Sequence, residues 1–228
     1  MNLEQLFDRS AAIAFVRQKR LAAKVGDRIW WVDPQNGVAR LYTRQREPSS
    51  GDIAIQVLGS QAVAEGYWLW EWANPLNVVP PHARRAADAL RNYGENSSIE
   101  ELVTSEVAID NLSQPDTYAA IAVATLDAPG YFIHTVGGGK LRIPILVDET
   151  FRTPDDEDFI GFANTINEVA AAGLPVSNAR DLIEGYLDAL GISSEALPDG
   201  NLLVQSPTQR MHIRLDGGSF AFDVTSRA

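Results

Sequence analysis

Apolar residues recur at helical spacing over residues 3–24: Leu3, Leu6, Phe7, Ala11, Ile13, Ala14, Val16 and Leu21. Arg17, Lys19, Arg20 and Lys24 crowd the last turns, where cations meet the negative end of the helix dipole, and Gly26 supplies the stop. The period then shortens to two. Arg28–Val32, Val38–Tyr42, Ile53–Leu58 and Tyr67–Ala73 read as four strands, the third ending at Gly59-Ser60. Asp33-Pro34-Gln35-Asn36-Gly37 is a strong turn signal, and the short connections predict an antiparallel meander. In the fourth strand Trp68, Trp70 and Trp72 share one face, Glu71 lies on the other, and Asn74-Pro75 stops the run.

Helical patterns return at 80–93, with Gly94 as the cap, at 99–107 and at 115–126, the last apolar almost all round. Residues 130–147 read as a hairpin over Gly137-Gly138-Gly139. Thr153-Pro154 followed by acids predicts a helix start, and Ser177 a second one. Three short strands close the chain. The predicted class is α+β, an antiparallel sheet packed on helices, with a C-terminal helix pair and a three-stranded meander. The acidic loop at 148–158 divides an α+β domain, residues 1–150, from a subdomain, 151–228, that is either separate or continuous with the first.

Charge changes this picture. The 228 residues carry a net charge of -11. Residues 148–199 hold 12 acidic and 2 basic side chains, so nearly all the excess sits in one segment. Such a field speeds encounter with a basic partner and argues against nucleic acid. The bland alternative is a solvated acidic surface. With no cysteine, thiol chemistry is excluded. No apolar run approaches the ~20 residues of a membrane span, and no signal-peptide core follows Met1, so a cytoplasmic protein is expected.

Candidate chemistry is sparse. Burying three indoles would hide on the order of 600 Å², so the Trp face must be covered by helices, a ligand or a partner. Trp68, Trp70 and Trp72 could floor a ligand pocket with Glu71, Asn74 and His134 as its polar groups. Glu71 is ordinary if its face is wet. Gly137-Gly138-Gly139-Lys140 fails as a phosphate loop because Ile133 and Leu141 occupy the positions that need Gly and Ser or Thr. His82, His134 and His212 match no metal spacing. Asp155, Asp156, Glu157 and Asp158 suit a helix start better than a cation. No catalytic set, metal or cofactor is expected.

Leu58-Gly59-Ser60, then Trp68-x-Trp70-x-Trp72-Ala73-Asn74-Pro75, then Tyr93-Gly94-Glu95 resemble an uncharacterised bacterial domain family with a Trp-rich strand ending in Trp-Ala-Asn-Pro. The likeness covers about residues 1–135. It implies a bacterial cytoplasmic source and an α+β domain, and it supplies no activity. Two functions are therefore expected. One is a non-enzymatic binding protein, of an immunity or antitoxin kind, that blocks a basic toxin through Asp155, Asp156, Glu157, Asp158, Asp181, Glu184 and Asp188. The other is an enzyme or small-ligand binder with a pocket between sheet and helices near the Trp strand.

Overall fold

The computed structural model describes residues 1–76, 78–155, 158–216 and 219–226. Helix α1 (Leu3–Val25) opens on a capping box: the Asn2 side chain accepts from the Gln5 amide, and the Gln5 side chain accepts from the Asn2 amide. The predicted apolar stripe is buried, and Asp8, Ser10 and Arg17 are buried with it.

Eight strands form the main sheet: β1 (Ile29–Asp33), β2 (Val38–Tyr42), β3 (Ile53–Val57), β4 (Gly59–Ala62), β5 (Tyr67–Trp70), β6 (Glu106–Ala108), β7 (Tyr131–Val136) and β8 (Leu141–Val147). Their order is β1-β2-β3-β8-β4-β5-β6, with β7 also on β8 and every pairing antiparallel. β3 and β4 are one run bent at Leu58. Both pair with β8, through Val57–Ile145 and Gln61–Arg142. Gly59 and Ser60 thus continue the strand rather than end it, because the Leu58 amide bonds Pro144 and its carbonyl accepts from Glu71. Trp30 of β1 stacks on Phe132 of β7 at 4.3 Å between ring centroids. These strands lie at opposite ends of the run β1-β2-β3-β8-β7, so that part of the sheet is rolled.

The helices over the sheet are α2 (Pro81–Ser97), α3 (Glu100–Val103) and α4 (Pro115–Thr125). Gly94 does not cap α2. The helix runs on to a left-handed Ser98, φ 56°, and a Cβ on Gly94 would stand 2.5 Å from the Leu102 Cβ. That glycine lets α3 fold back onto α2. The 99–107 pattern splits into α3 and the strand β6, which pairs with β5. As expected, α4 is buried on nearly every side.

Two helices follow, α5 (Phe159–Ala171) and α6 (Ala179–Ala189). Asp158 caps α5 and Asn178 caps α6, replacing Thr153 and Ser177, because each places a side-chain oxygen on the free amides of the first turn. The C-terminal sheet holds the expected meander and adds one short antiparallel strand before it: β9 (Ser194–Ala196), then β10 (Leu202–Gln205), β11 (Gln209–Asp216) and β12 (Ser219–Ser226), in the order β12-β11-β10-β9. β9 is short and exposed throughout, so it has no alternation to read. One apolar cluster runs from α1, Trp68 and Trp70 through α4 into α5, α6, β10 and β11.

Candidate functional site

Strand β5 ends at Trp70, and its two tryptophans are core. Trp68 and Trp70 are 0% exposed. Their rings meet edge to face at 5.2 Å and lie 5.1 and 4.8 Å from Tyr118 of α4, geometry that aromatic quadrupoles favour. The Trp70 indole N–H donates to the Glu101 carbonyl at 2.9 Å. Gly59 makes the arrangement possible, since a Cβ there would lie 2.6 Å from the Trp68 ring and 2.3 Å from the Leu69 oxygen.

Strand alternation stops where Glu71, Trp72 and Ala73 turn into a 3-10 helix. Trp72 therefore leaves the shared face and lies half-buried under the Arg91 guanidinium, 4.6 Å away. Glu71 is 5% exposed, which corrects the expectation of a wet face. Asn74 Nδ2 donates to its two oxygens at 3.2 and 3.4 Å. Burial raises the Glu71 pKa, against the opposing pull of the Asn74 bond and the Arg84 charge. His134, half-buried on β7 opposite Ile143, has its pKa lowered by burial. Trp68 and Trp70 are sealed in the core, and none of the six residues lines the groove between α1 and α4.

The acidic segment turns inward onto α1. Asp155 accepts from Arg17 Nε at 3.0 Å and is also bound by Arg20. The Arg17 side chain is 7% exposed, and it donates besides to Asp127 at 2.6 Å and to the Ala128 and Val123 carbonyls at 3.0 and 3.3 Å. On α6, Asp181 and Glu184 lie 3.6 and 3.5 Å from Arg9, and Asp188 is closer still. Lys19 pairs with Glu168. The basic end of α1 is thus matched to the acidic segment, a use that dipole reasoning missed. Asp158 serves α5 by accepting from the Gly161 amide at 2.7 Å. Asp156 and Glu157 lie outside the described residues.

A second inward tie joins the same two regions. Asp8 is fully buried and accepts from the Ser177 amide at 3.1 Å, the Ser177 hydroxyl at 2.8 Å and the Asn178 amide at 2.8 Å. It binds the chain just before α6, while Gly185 lets α6 close on α1: a Cβ there would sit 2.2 Å from the Arg9 carbonyl oxygen.

The feature that looks most like a site is a groove that none of these motifs announced. Its volume is about 290 Å³. Phe7, Ala11, Ala14 and Phe15 of α1 and Ala120 of α4 form an apolar floor, with Leu174-Pro175 as a wall. Gln18, Asp116, Thr117 and Tyr131 supply the polar rim. Gln18 is fixed by Tyr131, donating to its carbonyl at 2.7 Å and accepting from its amide at 3.2 Å. Asp116 accepts from the Tyr131 hydroxyl at 3.3 Å and from Arg142 at 2.7 Å. Burial, with the Asp116 charge beside it, pushes the Tyr131 hydroxyl up, so it stays protonated and donating. Asp116 is in turn neutralised by Arg142. The groove offers an apolar slot with a rigid rim of nearly balanced charge. Among the described residues no group of three or more histidines or acids could hold a metal, and no helix is long and apolar enough to cross a membrane.

A model described as a family of unknown function, DUF6882, matches residues 4–150. The chain belongs to the DUF6882 family. No curated protein and no solved structure matches it. The DUF6882 region comprises α1 to α4 with the whole main sheet, and it supplies the groove except for Leu174 and Pro175. Two of the three motifs read from the sequence are packing motifs there, Gly59 beneath Trp68 and Gly94 beneath Leu102.

Proposed function

We propose that the chain is a non-enzymatic binding protein that receives an apolar anchor side chain of a protein partner in the α1–α4 groove. The carrying observation is the groove's size and lining. A volume of about 290 Å³ falls at the bottom of the ~300–1,000 Å³ range of small-molecule sites. It suits one aromatic or large aliphatic side chain, the usual anchor of a protein interface. The rim supports the same reading: Asp116, Arg142 and Tyr131 satisfy one another, leaving no unpaired charge to activate a substrate.

N-acetyl-phenylalanine amide is the probe. At about 0.3 kcal/mol per heavy atom it should bind with a Kd near 1 mM. In amide correlation spectra, shifts are expected at Gln18, Thr117, Ala120, Tyr131 and Leu174. A120F, which fills the floor, and L174D, which charges an exposed wall, should each abolish them. Shifts that scatter over the surface, or survive both substitutions, refute the reading.

The immunity or antitoxin reading is supported by one observation: the Asp188 side chain stays 69% exposed beside Arg9. In that reading the outer face of α6 meets a basic toxin. Affinity for a basic protein encoded beside this chain would then fall steeply with salt, and salt-independent or absent binding excludes it.

A further inference from the structure

The C-terminal sheet ends in an open edge. Among the described residues β12 pairs only with β11, leaving an eight-residue strand with one row of backbone donors and acceptors unused. Natural sheets guard such edges with lysine, proline, bulges or inward charges. Ser219–Ser226 has no lysine and no proline, and Asp223 is its lone charge, pointing away from the helices. Next to this edge, α5 shows solvent an uncharged stripe of Ile160, Ala163, Asn164 and Asn167, with Ile160 55% exposed. These residues and Phe220, Phe222 and Val224 line one groove. The stripe lies inside the segment with 12 acids and 2 basic residues. A neutral face in so acidic a segment has the depletion of charge that marks interface cores.

We propose that this face joins two copies of the chain, β12 pairing antiparallel with β12 of the second copy to make one continuous eight-stranded sheet. An antiparallel edge pair has a two-fold axis normal to the sheet, so both α5 helices fall on the same side and the stripe meets itself. The occupant is a second copy because the elements match themselves: a strand whose lone charge, Asp223, points away from the helices with its like, the Asn164 and Asn167 amides with amides, and Ile160 with the groove that Phe220, Phe222 and Val224 line. A basic partner would find no carboxylate in the stripe. Eight strand residues span about 27 Å. With one helix alongside, the pair buries roughly 1,100 Å² in total, near the lower limit for specific association, so a weak dimer is expected.

Sedimentation velocity of the full chain should show the weight-average mass rising towards twofold between 1 and 200 μM. Because each copy carries a charge of -11, the dimer should strengthen as salt screens repulsion. I160D changes an exposed residue and should leave the monomer's thermal unfolding unchanged while removing the dimer, and A221K should do the same from the strand side. A wild-type chain that stays monomeric at 200 μM in 0.5 M salt overturns the proposal. So does a dimer that persists in both variants. Failure of the α1–α4 groove to bind its probe has no bearing on these outcomes, since the two faces share no residue.

Discussion

Replacing Gly59 with alanine adds one methyl group where no space exists. The new Cβ would meet the Leu69 carbonyl oxygen at 2.3 Å and the Trp68 ring at 2.6 Å, whereas ordinary contacts begin near 3.4 Å. Neither neighbour can yield. Leu69 is held in the β4–β5 and β5–β6 ladders, and Trp68 is wedged between Trp70 and Tyr118. Overpacking a rigid core costs about 1–3 kcal/mol and more where backbone must move. The loss of unfolded-state freedom on going from Gly to Ala returns about 0.4–1 kcal/mol. A net destabilisation of about 3 kcal/mol is expected, a large share of the ~5–15 kcal/mol of a natural domain. At this chain length it lowers Tm by roughly 6–12 °C. Thermal unfolding followed by near-UV circular dichroism, which reports the packed indoles, is the assay. Gly51→Ala is the control, since its Cβ meets nothing within 4 Å. A G59A protein with Tm within 2 °C of wild type, or G51A equally damaged, would show that the Trp68–Gly59 contact does not set the geometry of the bend.

Two further perturbations probe the buried charges. Arg17→Met leaves Asp155 and Asp127 without their shared partner and should cost about 3 kcal/mol in urea unfolding, as for other broken buried pairs; a loss below about 1 kcal/mol would mean that water or Arg20 replaces it. For Glu71, burial raises the folded pKa above the unfolded 4.5, so the linked stability is fully present below pH 4.5 and is lost as pH rises through the folded value. Wild type should therefore gain on Glu71→Gln as pH falls from 7.5 to 5, and a difference between the two that stays constant with pH contradicts the assignment.

Periodicity made α1, α4 and most strands of the sheet legible because each buries one face or all faces of a regular element. The misreadings have local physical causes. Gly94 resembles a cap in sequence, yet its missing Cβ serves the approach of Leu102, and the cap falls to a left-handed Ser98. Gly59-Ser60 resembles a strand end because the bend at Leu58 interrupts alternation. Glu71 reads as solvent-facing only while β5 is assumed to run past Trp70. The groove was illegible for a different reason. Gln18 and Tyr131 are 113 residues apart, and no pattern of local spacing announces which distant side chains will share a rim. The inward pairing of the acidic segment was hidden in the same way: composition displays the charges, while Arg17 and Asp155, 138 residues apart, show where they go.

The ties on α1 also set a clock. Arg9 and Asp188 are separated by 179 residues, and Asp8 and Ser177 by 169. At about 5–20 residues per second of synthesis, α1 waits roughly 10–35 s before α6 exists to cover it. Throughout that interval Asp8 lacks the Ser177 and Asn178 donors and Arg9 lacks its acidic partners on α6, while Arg17 already has Asp127 and Asp155. The nascent chain should therefore pass through its most vulnerable state early, with the side of α1 that packs on α6 uncovered until that helix emerges.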